Sequence, residues 1–386
     1  MIEGLTQTYS SSRKARTLFP HIDWVLCVSA LLVVGAGALT MNSFVGENYF
    51  FQNQLVWTAL ALVLFFSLSF VDFRFLRKTG IIVSLFAVSV ILLLLVFVFG
   101  DLVKGAQNRF NFGVFALQPA DPIKLVVLLL LAKYFSRRHM EIANIRHIFV
   151  SGFYTLVIFL LIMLQPDFGS AIIVALLWFG MVLVSGISKK HLLAVVLLGA
   201  LGFFGMWSYV FEDYQKDRIL TFIHPLTDIR GAGYNAYQST IAVGSGQLLG
   251  KGVGYGTQSK LQFLPEYETD FIFAAFAEEW GFIGVLLLFS LFGIIIWRVI
   301  DNAMRGATNF ETLFGLGLAI LFMSHIAINV GMNIGILPIT GTTLPFMSYG
   351  GSHLITEFVG LGILMGMRRY SRAAHRDDDN QEFLGL

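Results

Sequence analysis

LPEYETDFIFAAFAEEW, residues 264–280, is the stretch of sequence around which the rest of the chain is organised. It ends a longer segment, 214–280, that gathers polar residues, glycines and carboxylates in an otherwise apolar chain. Asp270 stands directly before the apolar run that opens with Phe271, which predicts a helix with a carboxylate at its start. Because the remaining sequence is mostly apolar, we expect any chemistry to lie in this segment.

The composition predicts an integral membrane protein. The chain has 386 residues, of which 56% are hydrophobic and only 13% are charged. Soluble domains carry about 25% charged residues, so a soluble chain with a large core is excluded. The single cysteine, Cys27, lies in the first apolar run and rules out an internal disulfide and a cysteine-based zinc site.

Ten apolar runs have the length that a transmembrane helix requires, about 20 residues. The predicted fold class is therefore an all-α polytopic integral membrane protein, with ten transmembrane helices and one large extracytoplasmic loop. The predicted spans are 23–42, 54–71, 79–99, 120–135, 147–164, 169–186, 191–211, 270–299, 311–337 and 347–367.

The distribution of lysine and arginine predicts how the chain is oriented, because cytoplasmic loops are enriched in both. With both termini on one side, 18 of the 26 basic residues fall on that side and 8 on the other. Both termini are therefore expected in the cytoplasm. The predicted organisation is a cytoplasmic segment 1–22, helices 1–7 in 23–211, an extracytoplasmic loop 212–269, helices 8–10 in 270–367 and a cytoplasmic tail 368–386.

The glycine-rich piece GSGQLLGKGVGYGTQ, residues 244–258, does not match a nucleotide-binding P-loop. That motif requires Gly-Lys-Ser/Thr, whereas Gly250-Lys251 is followed here by Gly252. Two interpretations remain open. The piece forms a tightly turned loop, or its backbone amides form a cradle for a phosphate with help from Lys251.

Asp270 also has two interpretations. It caps its helix and complements the helix dipole, or it acts as a general base at the mouth of a polar cavity. Ionisable side chains inside a span need a partner or a water-filled cavity, which favours the second interpretation when several carboxylates stand together. The neighbouring carboxylates are Glu266, Glu268, Glu278 and Glu279.

Other polar residues lie inside the predicted spans. Asp121 and Lys124 share one helical face and predict a local ion pair, and His325 and Glu357 predict interhelical hydrogen bonds. Together they predict a polar interior, which does not by itself separate an enzyme from a transporter. The further members of this set are Asp167, Asn329, Asn333 and His353.

A longer pattern runs through the polar segment and recurs at helix ends elsewhere. The motifs are Gly233-Tyr234, Gln238-Ser239, Gly250-Lys251-Gly252, Gly256-Thr257-Gln258-Ser259, Leu264-Pro265-Glu266, Thr269-Asp270-Phe271, Gln118-Pro119, Gln165-Pro166-Asp167, Tyr214-Gln215, Asn329-Val330-Gly331-Met332 and LPITGTTLPFMSYGGS at 337–352. On these motifs the chain resembles the SEDS family, which comprises RodA, FtsW and sporulation relatives, over nearly its whole length. The Gly-Lys-Gly and Gly-Thr-Gln-Ser pieces are more similar to RodA.

The resemblance implies a peptidoglycan glycosyltransferase with the SEDS fold in the bacterial inner membrane. It implies lipid II and undecaprenyl diphosphate-linked glycan as substrates, a class B penicillin-binding protein as partner, and no nucleic acid. It further implies a role in cell elongation and cell shape. The alternatives are a division-type polymerase, a lipid II flippase or other transporter, and a non-enzymatic scaffold that activates a partner synthase.

Roles for individual residues follow from the same resemblance. Asp270 is implied as the catalytic base, with Glu266 as its orienting residue or substitute. The implied ligands of the substrate diphosphate are Arg218, Lys251, Lys124 and Arg109. A divalent cation, Mg²⁺ or Mn²⁺, could share that role. The residues implied to support the cavity or the loop are Gln238, Ser239, Gln258, Asp121, Asp167, Asn329 and Ser348.

The sequence departs from the family pattern at two places. The family usually has Gln-Pro-Ser-Glu where this chain has Gln118-Pro119-Ala120-Asp121, which loses a hydroxyl and shortens a carboxylate. The family tends to have Arg-Trp after Gly-Ala-Gln, whereas Gly105-Ala106-Gln107 is followed here by Asn108 and then Arg109.

Overall fold

The structure is a computed structural model, and it describes residues 21–44, 49–103, 106–111, 113, 116–136, 145–209, 211, 213–223 and 233–382. Helices dominate these residues, and a helix occupies each of the ten predicted spans. The described helices are α1 (Trp24–Asn42), α2 (Tyr49–Ser69), α3 (Thr79–Phe99), α4 (Ala120–Ser136), α5 (Ile145–Met163), α6 (Phe168–Val184), α7 (Lys189–Tyr209), α8 (Asp213–Ile223), α9 (Tyr234–Ser245), α10 (Thr257–Lys260), α11 (Ile272–Met304), α12 (Asn309–Asn333) and α13 (Gly351–Glu382).

The prediction of a polytopic membrane protein is confirmed. Among the described residues, seven helices are long and apolar enough to cross a membrane, namely α1, α2, α3, α5, α7, α11 and α12. The helix α6 is apolar but has 17 residues, and α4, also 17 residues long, carries the charged Asp121, Lys124 and Lys133. The count of ten crossings therefore stays a prediction.

α12 lies at the centre of the bundle, and α7 lies at its edge. α12 packs against α4, α6, α11 and α13, and 61% of its most apolar stretch is buried. Only 6% of the corresponding stretch of α7 is buried, so nearly all its apolar surface is left for lipid. Further contacts pair α1 with α11, α2 with α13 and α5 with α6.

Asp23, the N-cap of α1, joins three helices at one end of the bundle. Its carboxylate pairs with Arg298 of α11 at 2.6 Å and with Arg368 of α13 at 3.4 Å. The same oxygen accepts a hydrogen bond from Asn302 Nδ2 at 2.7 Å. Asp23 is 3% exposed, so these charged donors offset the loss of water around it.

A three-stranded antiparallel sheet follows α3 and was not predicted from the sequence. Its strands, in the spatial order β1-β2-β3, are β1 (Asp101–Val103), β2 (Ala106–Asn111) and β3 (Ala116–Leu117). Arg109 of β2 pairs with Asp101 of β1 in the register of the sheet. The sheet thus fills the connection that precedes the Gln118-Pro119 corner.

The helix α11 is interrupted, whereas the sequence predicts one continuous span over 270–299. It begins at Ile272 and contains Gly281 with φ 64° and ψ −169°, which divides it into a short first part, 272–280, and a longer second part, 282–304. Glycine reaches this left-handed region without a steric penalty. The stretch that carries the carboxylates is therefore a separate short helix.

The glycine-rich loop explains the interruption, because it pairs with the backbone on both sides of Gly281. Glu278 O accepts a hydrogen bond from Lys251 N at 3.0 Å, and Gln247 O accepts one from Phe282 N at 2.9 Å. The two chains approach so closely that a Cβ added to Gly281 would lie 2.2 Å from Gly250 N. The bonds that α11 loses at its break are thus replaced by bonds to the loop.

The connection between α12 and α13, residues 334–350, is irregular, and most of its second half, 342–348, is buried. The sequence predicts spans over 311–337 and 347–367, but α12 ends at Asn333 and α13 begins at Gly351. Irregular backbone at membrane depth must find its hydrogen-bond partners within the protein. Thr342 O accepts from Asn329 Nδ2 at 2.6 Å, and Phe346 N donates to Glu357 Oε2 at 2.8 Å.

We predict that Gly281→Ala lowers the unfolding temperature of the purified protein in detergent. The conformation of Gly281 is essentially restricted to glycine and costs a residue with a Cβ about 1–3 kcal/mol, and the contact with Gly250 N adds to this. The control is Gly293→Ala in the second part of α11, where a Cβ would meet nothing within 4 Å. Equal unfolding temperatures for the two variants would contradict the close packing of the loop.

Candidate functional site

Asp270 lies half-buried at the end of the loop that leads into α11. Its carboxylate faces the irregular 334–350 segment, where a Cβ added to Gly341 would lie 3.5 Å from Asp270 Oδ2. Gly341 has φ 73°, so the position favours glycine for its backbone as well. The absence of a side chain at Gly341 leaves room beside the Asp270 carboxylate.

The backbone around Asp270 is held from two directions. Asp270 O accepts hydrogen bonds from Asn329 Nδ2 at 2.9 Å and from Asn333 Nδ2 at 3.0 Å. The carbonyl before it, Thr269 O, accepts from Ser348 Oγ at 2.6 Å. The side-chain amides come from α12 and the hydroxyl from the 334–350 segment, so two elements fix the same loop end.

Asn333 is the residue that connects these elements, and it is completely buried. Its Oδ1 accepts a hydrogen bond from Ala274 N at 3.2 Å, in the first turn of α11. Its backbone carbonyl accepts from Ser239 Oγ at 2.8 Å, which brings α9 to the same place. The start of α11 is therefore tied to both α9 and α12.

Glu266 shapes the turn that precedes Asp270. Its backbone has φ 49°, and its carbonyl accepts hydrogen bonds from Thr269 N and Phe271 N, both at 3.1 Å. Its carboxylate lies near the Thr269 hydroxyl, with Oε2 3.5 Å from Oγ1. The neighbouring Tyr267 packs edge-on against Phe44, and burial raises the pKa of its hydroxyl, which leaves this ring uncharged at neutral pH.

The glycine-rich loop does form a cradle of donors, and that cradle holds a carboxylate of the chain itself. Glu278, completely buried, accepts hydrogen bonds from Thr257 N at 2.9 Å and from Gln258 N at 3.1 Å. Lys251 Nζ donates to the same carboxylate at 2.6 Å. The adjacent Glu279 accepts from Gly254 N at 3.0 Å.

A second polar cluster lies deeper, between α4, α12 and α13. The predicted Asp121–Lys124 ion pair is present, with 3.1 Å between Lys124 Nζ and Asp121 Oδ1. His353 lies between two carboxylates, with its Nδ1 3.5 Å from Asp121 Oδ1 and its Nε2 3.0 Å from Glu357 Oε1. The shorter carboxylate at position 121 therefore still reaches its lysine. The cluster lines a small cavity together with Leu125, Leu321, Phe322, His325 and Thr356.

His325 and Glu357 are predicted to form hydrogen bonds between helices, but the structure pairs each of them with the backbone of a connecting segment. His325 Nδ1 lies 3.3 Å from Thr343 O, and Glu357 accepts from Phe346 N. Both partners belong to the irregular 334–350 segment. Glu357 also pairs with His353 within α13.

Asp167 caps α6 and also binds side chains from the segment that precedes α4. Its Oδ1 accepts a hydrogen bond from Ser170 N at 3.0 Å. Its Oδ2 accepts from Gln118 Nε2 at 2.6 Å and from Asn108 Nδ2 at 3.3 Å. Arg109 lies next to this cluster, because its Nε is 3.4 Å from Asn108 Oδ1.

The other predicted residues lie on the loop helices. Arg218 is exposed on α8, and Gln238 is half-buried on α9. Among the described residues, no group of three or more histidines, cysteines, aspartates or glutamates has the geometry to hold a metal ion. The divalent cation considered from the sequence therefore stays a prediction.

The comparisons with known proteins identify the family of this chain. The family model described as "Cell cycle protein", which covers FtsW, RodA and SpoVE, matches residues 16–373. The chain belongs to the FtsW/RodA/SpoVE family. The SEDS resemblance of the sequence is thereby confirmed.

Curated members of the FtsW/RodA/SpoVE family align over most of this chain. It is 35% identical to the peptidoglycan glycosyltransferase MrdB of Escherichia coli strain K12 over 356 residues, which cover 91% of this chain and 95% of that protein. It is 32% identical to the stage V sporulation protein E of Bacillus subtilis over 350 residues, 90% of this chain and 95% of that one.

Solved structures of the family share the fold. One belongs to a work entitled "Structural coordination of polymerization and crosslinking by a peptidoglycan synthase complex", with TM-score 0.77 and 31% identity, covering 90% of this chain and 98% of that one. Another is the rod shape determining protein RodA of Thermus thermophilus, with TM-score 0.68 and 31% identity, covering 90% of this chain and 96% of that one.

In this member of the FtsW/RodA/SpoVE family, the predicted site residues other than Arg218 and Gln238 fall into four groups. Asp270, Glu266, Asn329, Ser348 and Ser239 belong to the loop end and its supports, and Asp121 and Lys124 form the deeper cluster. Lys251 and Gln258 surround Glu278, and Asp167 and Arg109 flank the Gln118 corner.

Two supporting residues were missed as parts of the site. Asn333 was noticed only as a polar residue within a span, although its spacing of four from Asn329 places both amides on one helical face. The sequence marks Glu278 as a carboxylate near Asp270 and as part of the motif that resembles the SEDS family, without a role in the site. No sequence signal pairs it with Thr257, because that contact depends on how the glycine-rich loop folds back.

We predict that Asn333→Ala destabilises the protein by about 1–3 kcal/mol, because it leaves buried donors and acceptors without their partners. The matched control is Ser290→Ala on the second part of α11, where the exposed hydroxyl donates only to Leu286 O of its own helix. Thermal unfolding in detergent measures both variants. An unfolding temperature for Asn333→Ala equal to that of Ser290→Ala would refute the connecting role of Asn333.

Proposed function

We propose that this chain is a peptidoglycan glycosyltransferase that polymerises lipid II into β-1,4-linked glycan strands during cell elongation. The observation that carries the proposal is the half-buried Asp270 carboxylate beside Gly341, on a backbone held by Asn329, Asn333 and Ser348. The names of its relatives, MrdB of Escherichia coli among them, support the reaction class.

The proposed reaction is a single displacement with inversion. The 4-hydroxyl of the acceptor N-acetylglucosamine attacks the anomeric carbon of the growing glycan, and the bond from that carbon to the diphosphate oxygen breaks. The bonding electrons leave with undecaprenyl diphosphate, and the hydroxyl proton passes to a base. We assign the role of that base to Asp270. General base catalysis of this kind contributes about 10²- to 10⁴-fold to a reaction rate. No covalent intermediate with the protein is needed.

The two-sided support of the Asp270 backbone is what this reaction requires. A base is effective only when its oxygen is held within hydrogen-bond reach of the hydroxyl, and a misplacement of about 1 Å can cost 10²-fold. The donors to Thr269 O and Asp270 O fix the backbone, and Gly341 places no side chain beside the carboxylate. Glu266 sets the turn that aims it.

The leaving diphosphate needs positive charge. Arg218 and Arg109 are our first candidates, since Arg218 is exposed on α8 and Arg109 lies half-buried on the sheet. Arginine forms paired hydrogen bonds with phosphate oxygens. Lys124 stays a candidate from the resemblance, and its ammonium is paired with Asp121. A Mg²⁺ or Mn²⁺ ion would add charge at the same oxygens.

We further propose the orientation and the partner. The basic side of the charge distribution faces the cytoplasm with both termini, and the 212–269 loop with Asp270 faces the outside of the inner membrane. The ion cluster at Asp23, Arg298 and Arg368 would then lie at the cytoplasmic end. The similar chain from the peptidoglycan synthase complex supports a crosslinking partner, a class B penicillin-binding protein.

We predict that Asp270→Asn lowers lipid II polymerisation about 10²- to 10⁴-fold, because the amide cannot accept the hydroxyl proton. The measurement is the formation of glycan ladders from labelled lipid II by the purified protein together with its penicillin-binding partner. The control is Asp301→Asn, a carboxylate paired with Arg305 near the other end of α11. It should polymerise as the wild type does.

These polymerisation assays, together with translocation and rescue experiments, discriminate between the alternative functions. Wild-type ladders from Asp270→Asn would remove this residue from the mechanism. Translocation of labelled lipid II in vesicles without polymer would select a flippase. Polymer made only by the partner, at equal rates with either variant, would select a scaffold. Rescue of a division mutant, with no rescue of an elongation mutant, would select the division-type role.

A further inference from the structure

The Glu278 carboxylate is a buried group near the proposed site that several donors surround. It has no exposed surface, and its Oε1 accepts hydrogen bonds from Lys251 Nζ at 2.6 Å and from both the amide and the hydroxyl of Thr257 at 2.9 Å. Gln258 N donates as well, at 3.1 Å to Oε2. Charged and amide donors together stabilise a buried anion far better than either kind alone.

Lys251 is occupied by the same contacts. Its ammonium donates to Glu278 and, at 2.9 Å, to the Thr257 hydroxyl, and the side chain is 30% exposed. Removing it would leave a carboxylate buried without its countercharge. A lysine in this position balances a charge of its own chain, so it is poorly available to neutralise a diphosphate.

The cradle around Glu278 continues along the backbone to Asp270. Gln258 O accepts hydrogen bonds from Phe263 N at 3.0 Å and from Leu264 N at 3.1 Å. Leu264 is completely buried and packs with Phe271 in a small apolar cluster. From there the turn at Glu266 leads to Asp270. A shift of the loop at Thr257 would therefore be transmitted to the Asp270 carboxylate.

We propose that Glu278 and Lys251 are positioning residues that set the location of Asp270 through the 251–264 loop, and that Lys251 does not bind the substrate diphosphate. This inference rests on the proposed function of Asp270 as the base. It reassigns Lys251, for which the resemblance implied a diphosphate contact. Glu278 holds the loop from the short first part of α11, while Asn329 and Asn333 hold its end from α12.

The two roles for Lys251 predict different kinetics. A diphosphate ligand contributes to substrate binding, so its loss raises the apparent KM for lipid II. The fold loss in rate from removing such a ligand would multiply with the fold loss from a substitution of Glu278. A positioning pair contributes to the alignment of the base, so its loss lowers kcat at nearly constant KM. When both members of a pair are replaced together, the fold loss in rate is also smaller than the product of the fold losses of the two single variants.

The experiment is a double-mutant cycle with Lys251→Met, Glu278→Gln and the combined variant, assayed for lipid II polymerisation with the penicillin-binding partner. The matched control is Lys260→Met, an exposed lysine of the same loop whose ammonium lies 3.4 Å from Gly254 O. We expect each single variant to lose about 10- to 100-fold in kcat with KM nearly unchanged. We expect the combined variant to be no slower than the slower single one.

Hydrogen exchange of the backbone amides at Thr257 and Gln258 provides a second readout that needs no activity. Lys251→Met should lose protection there, the combined variant should regain part of it, and Lys260→Met should match the wild type. If the wild type makes no polymer, the proposed function fails, and the exchange result still decides whether the pair holds the loop. Unchanged protection in Lys251→Met, or a raised KM with losses that multiply, would overturn the inference.

Discussion

The backbone carbonyls of Thr269 and Asp270 accept hydrogen bonds from side chains of two other elements, and the arrangement around the proposed site depends on these contacts. The donors are the amides of Asn329 and Asn333 and the hydroxyl of Ser348. Each must be carried on an element that reaches the loop end. This requirement is met by the central helix α12 and by the buried part of the irregular 334–350 segment, which carries Ser348.

The same requirement accounts for the glycines. Gly281 interrupts α11, and the peptide groups freed by the interruption are paired with the glycine-rich loop. Gly341 leaves space next to the Asp270 carboxylate. Gly250 and Gly281 lie too close to the opposite backbone for either to carry a Cβ, so Gly250 of the glycine-rich loop serves a packing role between two parts of one chain. The amide cradle exists, and its anion is Glu278.

The sequence predicts the helical membrane architecture well, because a run of about 20 apolar residues is the length that one membrane-spanning helix requires. It also predicts Asp270 as the focus and Asp121–Lys124 as an ion pair, since both depend on short-range order along the chain. It does not predict the break at Gly281, the three-stranded sheet or the partners of Glu278. Those features depend on contacts between distant segments, such as Lys251 with Glu278, for which local pattern carries no signal.

The interruption in α11 has a consequence for how the protein responds to its bilayer. A span that is longer than the local hydrocarbon thickness adapts chiefly by tilting. An unbroken helix would pass such a tilt directly to Asp270. Here the second part, 282–304, moves together with α1, to which Asp23 joins it, while the first part, 272–280, is joined to α9, α12 and the glycine-rich loop. The carboxylate is thereby insulated from changes in membrane thickness that the rest of α11 must absorb.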